Sequence, residues 1–411
     1  MTMSASARDG DNKIPFLRTS NVLWDEIDLT VVDEMSVPER ERPAKQLEPG
    51  DLLVCEGGDI GRAAIWSGEI KIVSFQNHVH RLRPLVDDVV PRFYVYFLQS
   101  AFTQLGLFEG AGNRTTIPNL SRNRLAALEV PHPDVSEQRE IVRALSRARD
   151  AMQLHHQSTE CAEELKSSVM HSLFSRGLRG EASKETEIGS VPGSWDVVSL
   201  GSLGRIGNGS TPRKTVDEYW SGGSFPWLTS AKVYDRDITA ADQFVTEIAL
   251  RECHLPQIEP GAILIAITGQ GKTMGHCAVL RTRATISQHL AYIATDTTRA
   301  DPSFIRGYLE TQYDFFRQVG AGGGSTKGAL TCAFLRGVPI PLPPTLDEQY
   351  EIVAILDAID RKINLHRRKR SVLDDLFKTL LHKLMTGEIR VADLDLSAFV
   401  SADDASPAAA V

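Results

Sequence analysis

The sequence predicts an α+β protein: two similar mixed α/β domains, joined and separated by two long helices that run antiparallel as a coiled coil. Three observations predict it. The chain aligns with itself at an offset of 211 residues, so that Pro15 falls on Pro226, Pro49-Gly50 on Pro260-Gly261, Glu137-Gln138 on Glu348-Gln349, Ile141-Val142 on Ile352-Val353 and His171 on His382. In each copy, short strand-like runs bounded by Gly and Asp turns alternate with a helical stretch. After each globular part comes a long apolar 4-3 spacing. One offset held over so much chain means two copies of a large unit, which present two related surfaces.

The elements follow in order. Residues 1–13 are polar and are expected to be disordered. Residues 14–133 form the first domain, with strand-like runs at 51–55, 63–66 and 78–82, a helix at 91–107 and a Gly/Asn/Thr loop at 110–116. Residues 134–180 form the first spacer helix. The second domain, 189–342, repeats the plan with runs at 263–267, 277–280 and 290–294, a helix near 303–319 and a loop at 320–328. Residues 343–388 form the second spacer helix, and 389–411 an acidic flexible tail. Proline-rich segments, Val130-Pro131-His132-Pro133 and residues 339–344, close both globular parts, because helices rarely run through such stretches.

The second helix carries the cleaner seam: Ile352, Leu356, Ile359, Ile363, His366, Arg370, Leu373, Phe377, Leu380 and Leu384. The same positions in the first are Ile141, Leu145, Ala148, Met152, His155, Thr159, Ala162, Lys166, Val169 and Leu173. The first seam has smaller residues, so it is expected to pack on the second. Both turn polar midway, at the equivalent His155 and His366, where either a polar interruption fixes register or the histidines are merely half-exposed. At ~1.5 Å per residue each seam is on the order of 48 Å long, enough to set two domains on successive faces of a duplex that turns every ~34 Å.

Composition bounds the function. A formal net charge of -8 announces no general nucleic-acid binder, so any basic surface is local. Five scattered cysteines without a metal-ligand spacing suit a reducing cytoplasm. No apolar run approaches the roughly 20 residues that span a bilayer, so a soluble, cytoplasmic protein is expected.

Particular stretches resemble the specificity subunit of type I restriction-modification systems. Residues 14–22 (IPFLRTSNV) are echoed by 225–233 (FPWLTSAKV), and 47–53 (LEPGDLL) by 258–264 (IEPGAIL). Residues 136–142 (SEQREIV) are echoed by 347–353 (DEQYEIV). Trp195 to Leu203 with Gly209-Ser210-Thr211-Pro212 looks like the opening of a target recognition domain, and the first copy lacks it, so that domain is N-terminally shortened. The resemblance implies that each recognition domain reads half of a bipartite double-stranded DNA site. The helices would set the gap and dock two methyltransferase (modification) subunits, with restriction subunits joining through the complex. It implies no catalysis and no cofactor in this chain; S-adenosylmethionine, ATP and Mg would belong to the partner subunits.

DNA recognition needs cations for phosphates and amide, hydroxyl or guanidinium groups for base edges. Three places in each copy offer them. The first is Arg18, Thr19, Ser20 and Asn21, matched by Thr229, Ser230 and Lys232, which either touch DNA or hold a turn. The second is the pair of glycine-rich loops with Asn113, Arg114 and Thr115, and with Ser325, Thr326 and Lys327, which either contact DNA or are ordinary flexible loops. Third come Arg62, Gln76 and Asn77, with Lys272, Thr273, Gln288 and His289. The cations Arg361, Lys362 and Arg367 to Arg370 lie on the second helix, as a solvated face or a contact for phosphates or an acidic partner. Residues 266–273 (AITGQGKT) fit a relaxed phosphate loop, but a true one opens a helix at its Lys-Thr, and here a strand-like run follows. A P-loop ATPase with a coiled-coil arm and a scaffold that reads no DNA stand as the alternatives.

Overall fold

The offset recurs element by element in the computed structural model, which describes residues 8–106, 119–269, 272–322 and 329–394. Leu52–Cys55 returns as Ile263–Ala266, Ser74–Phe75 as Thr285–Ile286, and Val79–Leu82 as Leu290–Thr295. Pro91–Thr103 returns as Pro302–Thr311, and the long helix Val135–Arg176 as Leu346–Met385. The repeated Pro-Gly pair has a backbone reason: Gly50 and Gly261 turn into these strands at φ 92° and 94°, a region glycine enters without strain.

The chain divides into two compact units that cut across its linear order. One is residues 1–156 with 367–411; the other is 157–366. Each long helix therefore gives one half to each unit.

In the unit formed by residues 157–366, a five-stranded sheet runs in the order Gly204–Asn208, Leu290–Thr295, Ile263–Ala266, Cys277–Leu280, Asp237–Ile238, antiparallel except for the last pair. Its central strand is apolar throughout because both faces are covered. Ile263 and Ile265 face one core with Trp195, Phe304 and Ile305. Leu264 and Ala266 face another with Leu228, Val233 and Ile238, the period-2 alternation of a strand. A second sheet has the order Gln243–Val245, Phe225–Leu228, Thr285–Ile286.

The other unit repeats this on a smaller scale. Its sheets run Ala63–Ile65, Leu52–Cys55, Val79–Leu82 and Asp33–Ser36, Lys13–Leu17, Ser74–Phe75. Among its described residues no strands correspond to Gly204–Asn208 or to Asp196–Ser199, which pairs with Pro339–Leu342. Met385, equivalent to Phe174, joins Phe93 and Val391 in the core where the other unit has Trp195. Two stretches expected to be loose are held at their described ends. Lys13 pairs with Ser36, and the carbonyls of Asp11 and Asn12 accept from Ser36 Oγ and Arg42 Nη2. Val391 is buried, with Ile389 and Leu394 beside it.

Within each unit the two helix halves run antiparallel. In the first, Arg149 lies over the Phe377 ring at 6.0 Å, and His156 meets Arg370 at 3.3 Å. In the second, Lys166 pairs with Asp360 at 2.9 Å and Gly177 stands against Glu348. Ile141, Leu145, Leu173, Ile352, Leu356, Ile363, Phe377, Leu380 and Leu384 are buried, and Met152, Val169, Ile359 and Leu373 are half-buried. The buried stripe is broader than a two-position seam, taking in Ala144, Met170, Phe174, Leu381 and Met385. The reason is that Pro91–Thr103 and Pro302–Thr311 pack on a second face of the helices.

The duplicated Glu-Gln motif ties helix to domain. Gln138, fully buried, accepts from Val90 N and donates to the carbonyls of Asp88 and Pro133. Its equivalent Gln349 accepts from Asp301 N and donates to Arg299 O. No helix among the described residues is long and apolar enough to cross a membrane.

Candidate nucleic-acid interface

Turns from distant parts of the sequence meet at one end of each globular part. In the unit of residues 157–366, Leu228 accepts from Ser287 N, which fixes Thr229 and the 3-10 turn Ser230–Tyr234 beside Gln288 and His289. Ile267 N donates to His289 O, and Thr268 Oγ1 lies 2.6 Å from His289 Nδ1. Thr268 also bridges to Ala329, just after the loop that holds Ser325, Thr326 and Lys327. Gly209 opens the Gly-Ser-Thr-Pro turn against the Ile286 carbonyl, where a Cβ would sit 1.9 Å from the oxygen. Only glycine fits there. Ser210 then donates to that carbonyl and accepts from Trp227 Nε1.

The turn carrying Lys272 and Thr273 is braced by aromatic rings. Tyr313 Oη donates to Lys272 O at 2.6 Å, and Tyr234 Oη is 2.9 Å from Thr273 Oγ1. The His276 ring lies between Tyr234 and Tyr313, with centroids 4.9 and 4.5 Å away, and burial lowers its pKa. Arg317 sits over Tyr313 at 5.7 Å. After Lys272-Thr273 the chain returns to the strand Cys277–Leu280 instead of opening a helix, so the phosphate-loop reading fails on its geometry.

The other unit gathers equivalent parts. Cys55 Sγ donates to Thr19 O, and Gln76 N to Leu17 O. The turn after Cys55 is held by Glu56 N donating to His78 O and by Leu120 N donating to Glu56 O. Leu120 follows the loop with Asn113, Arg114 and Thr115. Those three residues, with Ser325, Thr326 and Lys327, lie outside the described residues.

Individual candidates fare differently. Asn21 is 4% exposed and spent on its turn: Oδ1 accepts from Arg18 N, and Nδ2 donates to the carbonyls of Asp28 and Val31. Of the two readings the sequence left open for it, these bonds favour the turn-holder. Three cations are paired internally: Arg18 with Asp33 at 3.2 Å, Arg62 with Asp59 at 2.8 Å, and Lys232 with Asp235 and Asp242 at 3.4 and 3.1 Å. The bond to Asp242 raises the Lys232 pKa. Ser20, Asn77 and Lys272 are exposed, and Thr19, Thr229 and Ser230 half-buried at the same ends. The sequence reading missed Tyr234, Tyr313 and Arg317, whose only signal is aromatic residues around a glycine-rich turn.

The profile of the type I restriction modification DNA specificity domain matches residues 2–164 and again 192–374. The chain belongs to that family. A Methanocaldococcus jannaschii relative, named for the MjaX type I restriction enzyme specificity subunit, is 26% identical over 397 residues, 94% of this chain and 90% of its own. The EcoR124I/EcoR124II specificity subunit of Escherichia coli is 25% identical over 282 residues, 66% of this chain and 64% of its own. The fold matches the type I restriction-modification S subunit from M. genitalium with TM-score 0.56 at 17% identity, covering 93% of this chain and 91% of that one. As a type I specificity subunit, the chain is a DNA-recognition protein, and the ATPase and scaffold readings find no support.

Proposed function

We propose that each globular part reads one half of a bipartite double-stranded DNA site through the end where its turns converge, and that the chain catalyses no reaction itself. The observation that carries this is duplication: two groups of polar turns, those of Thr19 and Thr229 and those of Asn77 and His289, meet at the same end of two equivalent domains. Phosphate contact falls to Lys272 and, by the sequence reading, to Arg114 and Lys327, and base contact to hydroxyls and amides such as Ser20, Asn77, Thr229 and Ser230. The helices serve as spacer and as docking surface for two modification subunits. Leu154 and Leu365, equivalent by the offset, are 60% and 51% exposed on those helices, which supports two like partners. Restriction subunits join through the complex, and S-adenosylmethionine, ATP and Mg act in the partner chains, in the cytoplasm.

Selection from random duplexes by the chain with its modification subunit tests the reading. Enrichment of two short motifs at one fixed gap is expected. Enrichment of a single uninterrupted motif, or of none, would refute it.

A further inference from the structure

An ion-pair cluster joins each globular part to a long helix. In the unit of residues 1–156 with 367–411, the Asp25 side chain is 1% exposed. Arg92 Nε donates to its two oxygens at 2.8 and 3.0 Å, Tyr96 Oη donates at 2.8 Å, and Arg149 Nε on the long helix stands 3.6 Å away. Arg149 Nη2 also donates to Trp24 O at 2.6 Å. In the other unit, the residue 211 positions after Asp25 is Arg236. It pairs with Asp357 and, at 2.9 Å, with Asp360 on the second long helix. Lys166 bridges Asp360 and Glu310 at 2.9 and 2.6 Å. Asp25 is thus matched by Arg236, and Arg149 by Asp360. The joint is the same in place and opposite in sign.

We propose that this reversal is a recognition key: each globular part docks on its own helix segment and is refused by the equivalent segment of a second copy of the chain. The two parts share a fold and equivalent seam positions, so the opposite charges add to whatever discrimination the differing apolar residues give. In an exchanged docking Asp25 would face Asp357 and Asp360, and Arg236 would face Arg149. Both put like charges into partly desolvated sites: Asp25 keeps Arg92 of its own globular part but exchanges the Arg149 cation for two carboxylates, and Arg236 exchanges two carboxylates for a cation. The key makes the exchanged dimer costly while leaving the correct fold paired. This holds whatever DNA the protein reads.

The test compares two substitutions at one site in the full chain. Arg149→Asp and Arg149→Gln both remove the Arg149 contacts, but only Arg149→Asp offers the Arg236 of a second copy a carboxylate. After refolding from urea at matched concentrations, size-exclusion chromatography with light scattering should show roughly tenfold more dimer for Arg149→Asp, a difference that salt diminishes. The mirror comparison, Asp360→Arg against Asp360→Asn, should behave alike, because the new guanidinium suits the Asp25 of a second copy. Equal dimer fractions within both comparisons would overturn the proposal. So would failure of both charge reversals to refold at any concentration, since exchanged docking is required to rescue them.

Discussion

Replacing Gln349 by Met tests the idea that a buried amide, not the helix seam alone, fastens a recognition domain to its helix. Gln349 is 1% exposed, accepts from Asp301 N at 2.8 Å and donates to Arg299 O at 3.2 Å. Methionine keeps the length and the apolar contacts, so little cavity forms. What is lost is the pairing: a buried N–H left unmatched costs about 1–3 kcal/mol and a lost bond to a carbonyl about 1, for a total of ~2–4 kcal/mol. Asp301 also caps Pro302–Thr311 by accepting from Phe304 N at 2.9 Å, so the loss should surface first in that helix. Urea unfolding should shift to a lower midpoint with the slope unchanged, and amide exchange in Pro302–Thr311 should quicken. Gln138→Met, which removes three bonds, should cost at least as much in its own unit. A loss below about 0.5 kcal/mol would refute the reasoning, because two paired groups cannot be orphaned in a dry site so cheaply.

Three further outcomes are expected. Lys272→Ala should weaken binding to all duplexes about equally and reduce the slope of log affinity against log salt by ~0.9; an unchanged slope in a salt titration removes Lys272 from the interface. Burial holds His276 below its ordinary pKa, so on acidification the unfolded chain takes up this proton before the folded one. Stability from this site should be full above the ordinary histidine range and fall as pH drops through it. His276→Phe should flatten that part of the profile, measured by urea midpoints at stepped pH. Burial pushes the thiols of Cys55 and Cys277 up to about 12, whereas Cys161 is exposed. Alkylation followed by mass spectrometry should therefore mark Cys161 first and reach the other two only in denaturant.

The parts legible in the sequence were those written in periodic or duplicated residues. The offset located both domains, and the 4-3 spacing marked Ile352, Leu356, Phe377 and Leu380, all of them buried. The Glu-Gln motif was visible as a repeat, but its role was not, since the groups it satisfies, Val90 N and Asp301 N, carry no side-chain signature. The two readings of Asn21 stayed open for a related reason. Asparagine at a turn has the same composition whether its amide faces solvent or folds back on its own carbonyls, and only the 4% exposure separates the two. Asp25 with Arg149 was illegible because the partners stand far apart in sequence and their equivalents have the opposite sign, which hides the correspondence from any comparison of residue types.

That same pairing habit explains how an acidic chain reads DNA. Arg18, Arg62 and Lys232 are each held by a carboxylate at or beside the converging turns. A paired cation exerts little field beyond a Debye length, so these groups add little to long-range attraction. On the proposed reading they act only at contact distance, where a phosphate would compete with the carboxylate for the same donors. With a net charge of -8, the chain alone has weak pull on nonspecific duplex, and on the proposed reading discrimination falls to groups that act only on close fit: the hydroxyls of Thr229 and Ser230 and the braced turn at Lys272. Such an arrangement sacrifices affinity for any DNA in favour of selectivity for one site, as the proposed reading of a specificity subunit requires.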